Sequence, residues 1–324
     1  MPELTDWQIN GPLQIIRQRA FLLAQIRSFF AANKVMEVET PVLSSAANTD
    51  IQIDVFNTQA IAAHNSHAYL RTSPEFFHKR LLASGSGDIF ELAKVFRLGE
   101  STALHNPEFT LLEWYRLGFS MHQLMDEVVA LVQMLRHSFG LLPMQVSVIS
   151  YQALYQQYLG IDPFNISDDE LNHLAVKADY HGSRLNRTEA LDFMFGVQIE
   201  PLLDPAVGHL VHEFPIEQAA LAKPHPHHAD RCLRFEFLWG GVELANGYEE
   251  LTDANEQRLR FERDNYIRQS FARSELPVDE RLLAAMTAGL PACSGVAVGV
   301  ERLMMCLLEK DSLAAVMPFM ASNS

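Results

Sequence analysis

Apolar positions recur at helical spacing over residues 13–33, "LQIIRQRAFLLAQIRSFFAAN", where Ile16, Ala20, Leu23, Ile26 and Phe30 form a stripe. The next segment, "KVMEVETPVL", alternates apolar with acidic residues, so a long amphipathic helix is predicted to enter a short strand that stops at Pro41. Residues 67–83 predict an extended "HAYLRTS", a helix start at Ser73 to Glu75 and an apolar helix "FFHKRLLAS" stopped by glycines. On either side of a polar loop, "DIFELAKVFRL" and "EFTLLEWYRLG" alternate like strands, which predicts an antiparallel hairpin with a long tip. From Met121 to about Asp204 the period is mostly helical, with "MHQLMDEVVALVQMLRHSF" the clearest amphipathic run and a Ser/Asp cap opening "NISDDELNHLAVKA". This stretch is expected to be a helical insertion packed beside the main core. A strand returns in "HLVHEFPIEQAALA", and "KPHPHHAD" is a loop. A second hairpin, "CLRFEFLWGGVELANG", turns at Gly240 and Gly241. A charged surface helix, "DANEQRLRFERDNYIRQSFARS", precedes "CSGVAVGVERLMMCLLE", a glycine-bearing strand entering an apolar helix.

The 324 residues exceed a usual single domain but carry one set of chemical motifs, so one large domain over residues 1–324 with an insertion is expected. Forty acids against 25 Lys plus Arg give a net charge of −15 with no basic block, which disfavours tight nucleic-acid binding. Cys232, Cys293 and Cys306 are widely spaced, odd in number and form no CxxC pair, as reduced thiols of a cytosolic protein would be. The start, "MPELTDWQIN", has acids where a signal peptide needs bases, and no apolar run is long enough for a membrane span. A soluble cytoplasmic chain is the expectation.

Residues 96–116, "FRLGESTALHNPEFTLLEWYR", crowd an arginine, acids, a histidine and aromatics around a turn, with Phe109, Glu113 and Tyr115 on a common strand face. In the second hairpin, Arg234, Glu236 and Leu238 share one face, and Glu236 and Glu243 come from facing strands. Two such carboxylates repel unless a cation sits between them, and magnesium held through a nucleotide triphosphate is a natural candidate. Asn246 and Glu250 add an amide and an acid suited to an ammonium group. Spacing alone favours a plainer reading, acids solvating one face of a sheet. In the last strand, Gly295, Ala297 and Gly299 share a face that something must approach closely, and Arg302 follows at the helix start, where a phosphate would fit. Tight strand–helix packing with a surface arginine accounts for this motif equally simply. Phe109 and Tyr115 as core aromatics, His105 as a loop-ordering hydrogen-bonder and Pro41 as a strand terminator are the corresponding plain readings. His225, His227 and His228 lie in a Pro-rich loop without partnered spacing, which reads as solvated rather than metal-binding.

In order, helix–strand–Pro41, "FR…E…HNPEF" and "GVAVGVERL" resemble the three signature motifs of class II aminoacyl-tRNA synthetases. "RTSPE", "HNPEFT", "EWY" and "ELANGYEELTDANEQ" resemble the lysyl-tRNA synthetase catalytic domain over most of the chain outside the helical stretch. A stand-alone paralogous family without the anticodon-binding barrel, the elongation factor P lysine lysyltransferases, is more similar still, through "HNPEFTLLEWYR" and "GVELANGYEELTDA". The resemblance implies an α+β fold, an antiparallel sheet flanked by helices, and a homodimer through the first motif. It also implies an enzyme that uses ATP and Mg²⁺ to form an aminoacyl-adenylate and passes the acyl group to a lysine of elongation factor P. Arg97 would lie on the α-phosphate and Phe109 on adenine, with Glu100, His105, Asn106, Glu108, Gly299 and Arg302 completing the nucleotide site, Arg302 on the γ-phosphate. Glu236 and Glu243 would hold magnesium. Glu250 and Tyr115 would bind the amino acid's ammonium, with Ser73, Glu75, Glu113, Asn246 and Ala297 around it.

Two departures stand out. Lysyl-tRNA synthetases commonly read Arg-Asn-Glu where this chain reads Arg97, Leu98, Gly99 and Glu100, which moves the acid by one residue. Where they carry glycine in the last strand, this chain has Ala297, whose methyl group would enter the amino-acid pocket. The altered pocket fits the lysyltransferase family's preference for (R)-β-lysine. The missing barrel and the −15 charge disfavour tRNA as acceptor. The alternatives kept are a minimal lysyl-tRNA synthetase-like enzyme, an asparagine synthetase-like amide ligase and a catalytically silent adenylate-binding regulator.

Overall fold

The computed structural model describes residues 8–58 and 68–321; the acidic extreme N-terminus and His67, where the extended "HAYLRTS" is predicted to begin, lie outside them. Helix α1 (Gln14–Ala32) buries Ile15, Leu22, Ile26 and Phe30. The predicted stripe needs correction here, because Ile16 and Ala20 are exposed and Leu23 is only half-buried. Apolar residues lie on more than one side of α1, and spacing alone does not say which side meets the sheet.

Strand β1 (Met36–Glu37) is short and pairs parallel with β5 (Ile89–Phe96). Between them, β2 (Leu43–Ser44), β3 (Asn57–Thr58) and β4 (Ala68–Leu70) form a small antiparallel sheet. Helix α2 (Glu75–Ala83) follows, opened by the Ser73 hydroxyl accepting from the Glu75 amide at 3.0 Å. The hairpin of β5 and β6 (Glu108–Leu117) pairs from Ile89 opposite Tyr115 to Phe96 opposite Glu108, leaving the predicted long tip.

The stretch read as a helical insertion proves more mixed. Its first helix, α3 (Met121–Ser138), packs into the main core, and β7 (Val146–Ser150) pairs parallel with β8 (Gly208–His212) at the sheet edge. No side chain of β7 is fully buried, so "VSVIS" lacks the in–out contrast that announces a half-buried strand. Helices α4 (Tyr151–Leu159), α5 (Asp168–Lys177) and α6 (Arg187–Met194), with a π-helical turn at Phe195–Ile199, build a separate layer around Tyr151, Tyr155 and Leu191. Ser167 and Glu170 form the capping box expected at α5.

The second hairpin joins β9 (Arg234–Trp239) to β10 (Val242–Glu249) through Gly240 and Gly241, at φ 65° and 76°. Left-handed backbone at both turn residues is what a two-residue hairpin loop demands and what glycine supplies. Helices α7 (Ala254–Ser270) and α8 (Glu280–Gly289) precede β11 (Cys293–Gly299), which runs into α9 (Val300–Leu307).

Among the described residues the main sheet has eight strands in the order β1-β5-β6-β11-β10-β9-β8-β7, antiparallel except for the end pairs. Phe235, Phe237, Trp239, Leu112 and Trp114 pack with α1, α3 and α9 on one face. The alternate residues of the same strands point to the other face, where the cavity lies. Cys232 and Cys293 are buried, Cys306 is partly so, and burial pushes all three thiols up. Among the described residues, no helix is long and apolar enough to cross a membrane.

Candidate active site

One row of facing residues crosses five strands: Glu236 on β9 lies opposite Asn246 on β10, Asn246 opposite Ala297 on β11, Ala297 opposite Glu113 on β6, and Glu113 opposite Glu91 on β5. Directly paired residues of antiparallel strands project from the same face. The row therefore places Glu236, Asn246, Ala297 and Glu113 on one surface, which floors a cavity of about 670 Å³. Phe109, Leu111 and Tyr115 continue the lining along β6.

At the hairpin-tip end, the Arg97 guanidinium lies over the Phe109 ring, 5.1 Å from its centroid, and 3.7 Å from Glu100. Gly99 has φ 85°, the left-handed turn that carries Glu100 back toward Arg97. Arg302, at the start of α9, donates to the carbonyls of Glu243 at 2.9 Å and Leu104 at 3.3 Å, and its Nη2 lies 2.7 Å from His105 Nε2. A guanidinium only donates, so His105 Nε2 accepts and its Nδ1–H donates to Thr102 Oγ1 at 2.8 Å. Burial and the Arg302 charge hold His105 below the usual histidine range, which agrees with a neutral ring.

Of the predicted members of this end, Glu108 lies away from the cavity and Asn106 borders it. Glu108 lies on the opposite side of β6 from Phe109, is exposed, and pairs with Lys94 at 3.2 Å. Asn106 borders the cavity, but its amide donates to the Glu108 carbonyl at 2.6 Å and accepts from the Ala321 amide at 2.9 Å. These bonds hold the tip and the C-terminal segment and leave the amide a second N–H and a second lone pair toward the cavity.

At the other end, Glu113 accepts from Tyr115 Oη at 3.0 Å and from Ser73 Oγ at 2.8 Å. His78 lies behind it, with Nδ1 3.4 Å from Glu113 and Nε2 2.9 Å from Glu91. Burial opposes charging His78, yet the two carboxylates outweigh it and raise its pKa. Glu91 is held in turn by Arg71 at 2.8 Å and Thr40 Oγ1 at 2.7 Å. The neighbouring Lys79 is fully buried, with Nζ 2.8 Å from Glu75 and 2.7 Å from Glu250. Asn246 Oδ1 and both amide atoms of the buried Gln257 face this region without a hydrogen-bond partner among the described residues.

The glycines of β11 differ. A Cβ at Gly295 would stand 2.3 Å from the Tyr115 ring and 2.7 Å from Glu250 Oε1, so what approaches the backbone there is the protein itself. At Gly299 nothing comes nearer than 3.8 Å and the cavity is open.

Glu236 and Glu243 both line the cavity. Burial and the Glu243 charge push Glu236 up to about 8, against the pull of Arg234, whose Nη2 donates to Glu236 Oε1 at 2.5 Å. Among the described residues no group of three or more His, Cys, Asp or Glu could hold a metal by itself, the histidines at 225, 227 and 228 included.

Sequence reasoning missed Arg71, His78, Lys79, Glu91 and Gln257. The Glu75–Lys79 spacing of four on one helix is a usable signal for one of them. Arg71 and Glu91 offer none, since only tertiary structure brings them together.

The family described as tRNA synthetases class II (D, K and N) matches residues 5–323. Elongation factor P–(R)-β-lysine ligase of Mannheimia succiniciproducens is 42% identical over 330 residues, covering 100% of both chains. The ligases of the same name from Proteus mirabilis and Vibrio cholerae are 43% and 42% identical, the first covering 98% of both chains, the second 97% of this chain and 98% of its own. With the family's pattern running nearly end to end over a sheet whose acids and arginines share one cavity, this chain belongs to the class II tRNA synthetase family of the Asp, Lys and Asn type.

Proposed function

We propose that the chain activates (R)-β-lysine with ATP and joins it to a lysine side chain of elongation factor P, the reaction named for its relatives. Membership of a class II synthetase family implies ATP use. The observation that carries the reading is one continuous cavity with Arg97, Phe109 and Arg302 at one end and Glu75, Glu113 and Glu250 at the other.

In the first step a carboxylate oxygen of the amino acid attacks the α-phosphorus of ATP, the bond to the bridging oxygen breaks, and pyrophosphate leaves. In the second, the deprotonated ε-amine of the acceptor attacks the acyl carbon, an amide forms, and AMP leaves. The chain needs no nucleophile of its own; it supplies position and charge. Arg97 serves the α-phosphate and Arg302 the γ-phosphate, the latter held in place by neutral His105. The Phe109 ring, under the Arg97 guanidinium here, takes the purine on that face. Glu100 is within reach of the same purine, since Gly99 turns it toward Arg97.

Glu113, Glu250 and Tyr115 receive the substrate's ammonium groups, with Ser73 and Asn246 beside them. Ala297, between Asn246 and Glu113, puts its methyl where the choice of lysine isomer is made. Glu236 and Glu243 fit a magnesium ion, because burial and mutual repulsion raise Glu236 and a cation between the two would relieve both. Bound there, it would neutralise charge building on the leaving pyrophosphate. A homodimer is part of the same proposal: Leu13, Ile16, Met36 and Leu43 are exposed along the first helix and the strands after it. Sedimentation as a monomer at micromolar concentration would count against that interface.

The test is ATP–pyrophosphate exchange with α-lysine, both β-lysine enantiomers, asparagine and aspartate, followed by mass analysis of elongation factor P or tRNA offered as acceptor. The expected result is strongest exchange with (R)-β-lysine and a one-lysyl mass gain on elongation factor P. Exchange without that gain refutes the acceptor, and full-rate exchange by Arg302→Ala refutes the phosphate role.

A further inference from the structure

Lys79 Nζ lies between Glu75 and Glu250, 2.8 and 2.7 Å away, and the lysine is wholly buried. Both carboxylates line the cavity; Lys79 does not. The ammonium therefore stands behind the two acids rather than among the groups that meet a ligand. Each acid is itself nearly inaccessible, and burial raises both pKa values. Side by side in a dry wall they would share a proton if nothing cationic stood near. Lys79, whose pKa the two carboxylates raise, is that cation. Its ion pair with Glu250 is through Oε2; neither Glu250 oxygen has a hydrogen-bond partner among the described residues, and Oε1 stands against the backbone at Gly295.

From this arrangement, and resting on the amino-acid pocket proposed above, we infer that Lys79 is a positioning residue that sets the pocket's charge. It cancels Glu75, opposes the protonation that burial favours at Glu250, orients that carboxylate, and leaves Glu250 Oε1 as the acceptor for one substrate ammonium. The three groups carry one net negative charge, which matches a single side-chain ammonium. Removing Glu75 alone frees Lys79 to neutralise Glu250, and the pocket then has no charge left for the substrate. Removing Lys79 and Glu75 together restores the balance.

The experiment is a double-mutant cycle of Glu75→Gln and Lys79→Met, read as KM for the amino acid and KM for ATP in pyrophosphate exchange. In this cycle Glu75→Gln is expected to raise the amino-acid KM about tenfold, with the ATP KM changed less than about twofold. The double variant is expected to return to within about threefold of wild type. A purely structural lysine would instead give losses that add, so a double variant no better than Glu75→Gln overturns the inference. The comparison holds even if Lys79→Met alone fails to fold with two unpaired buried acids. A second reading is discrimination between lysine and norleucine, its uncharged analogue; it is expected to fall in Glu75→Gln and recover in the double variant. Wild-type protein that exchanges with no lysine-type substrate would overturn the proposed function, and this inference with it. Wild-type exchange with an additive cycle overturns the inference alone.

Discussion

Gly295 and Gly299 lie on the same face of β11, four residues apart, and the same methyl group added to each should have opposite consequences. At Gly295 the new Cβ would sit 2.3 and 2.6 Å from the Tyr115 ring and 2.7 Å from Glu250 Oε1. No real Cβ tolerates such distances, so ring and carboxylate must move. Overpacking of this kind costs about 1–3 kcal/mol. Replacing glycine by alanine returns about 0.4–1 kcal/mol by restricting the unfolded chain. Neither glycine has left-handed backbone, so no further strain enters. Gly295→Ala should therefore lose about 1–2 kcal/mol net, while Gly299→Ala, with nothing nearer than 3.8 Å, should keep the gain. An unfolding entropy of about 2.1 cal/mol/K per residue makes 1 kcal/mol worth about 1.5 °C in a chain this long. Thermal unfolding should thus place Gly295→Ala about 2–4 °C below Gly299→Ala. Exchange kinetics should divide as well, with Gly295→Ala raising KM for the amino acid and Gly299→Ala raising KM for ATP. Gly299→Ala proving the less stable, or Gly295→Ala keeping its amino-acid KM, would refute the packing argument.

Gln257 is 1% exposed with neither amide atom partnered among the described residues, and each such atom costs about 1–3 kcal/mol. Gln257→Leu should unfold at a higher temperature yet show a raised amino-acid KM; a lower unfolding temperature would mean that the amide is satisfied in the free protein. The His105 contribution to stability should depend on pH. A histidine whose folded pKa is lowered adds stability that is complete above its unfolded value of about 6.5 and is lost as pH falls through the folded value. His105→Phe should flatten that part of the profile in melts run from pH 5 to 7.5, and an unchanged difference from wild type across that range would show that the ring does not titrate there.

The alternation of "EFTLLEWYR" is enough to put Phe109, Glu113 and Tyr115 on one face, and the facing register then adds Ala297, Asn246 and Glu236. The same alternation puts Glu108, one residue from Phe109, on the opposite face, where it pairs with Lys94. Other differences have no such signal. The stripe of α1 is ambiguous because apolar residues lie on several of its sides, and β7 is hidden because its side chains are all partly or fully exposed. The contact between Asn106 and the Ala321 amide, 215 residues away, is likewise invisible in the sequence.

The countercharges are the least legible part, and the reason is physical. A pocket for an ammonium needs carboxylates that stay ionised while buried, and burial by itself protonates them. This fold opposes that protonation by setting cations against its buried acids: Arg71 behind Glu91, His78 between Glu91 and Glu113, Lys79 between Glu75 and Glu250, Arg234 beside Glu236. His78 and Lys79 are consecutive on α2 and serve different acids. The net charge of −15 therefore says little about the site, where balance is local. It also follows that removing a cation that touches no ligand should disturb binding as much as removing an acid that does.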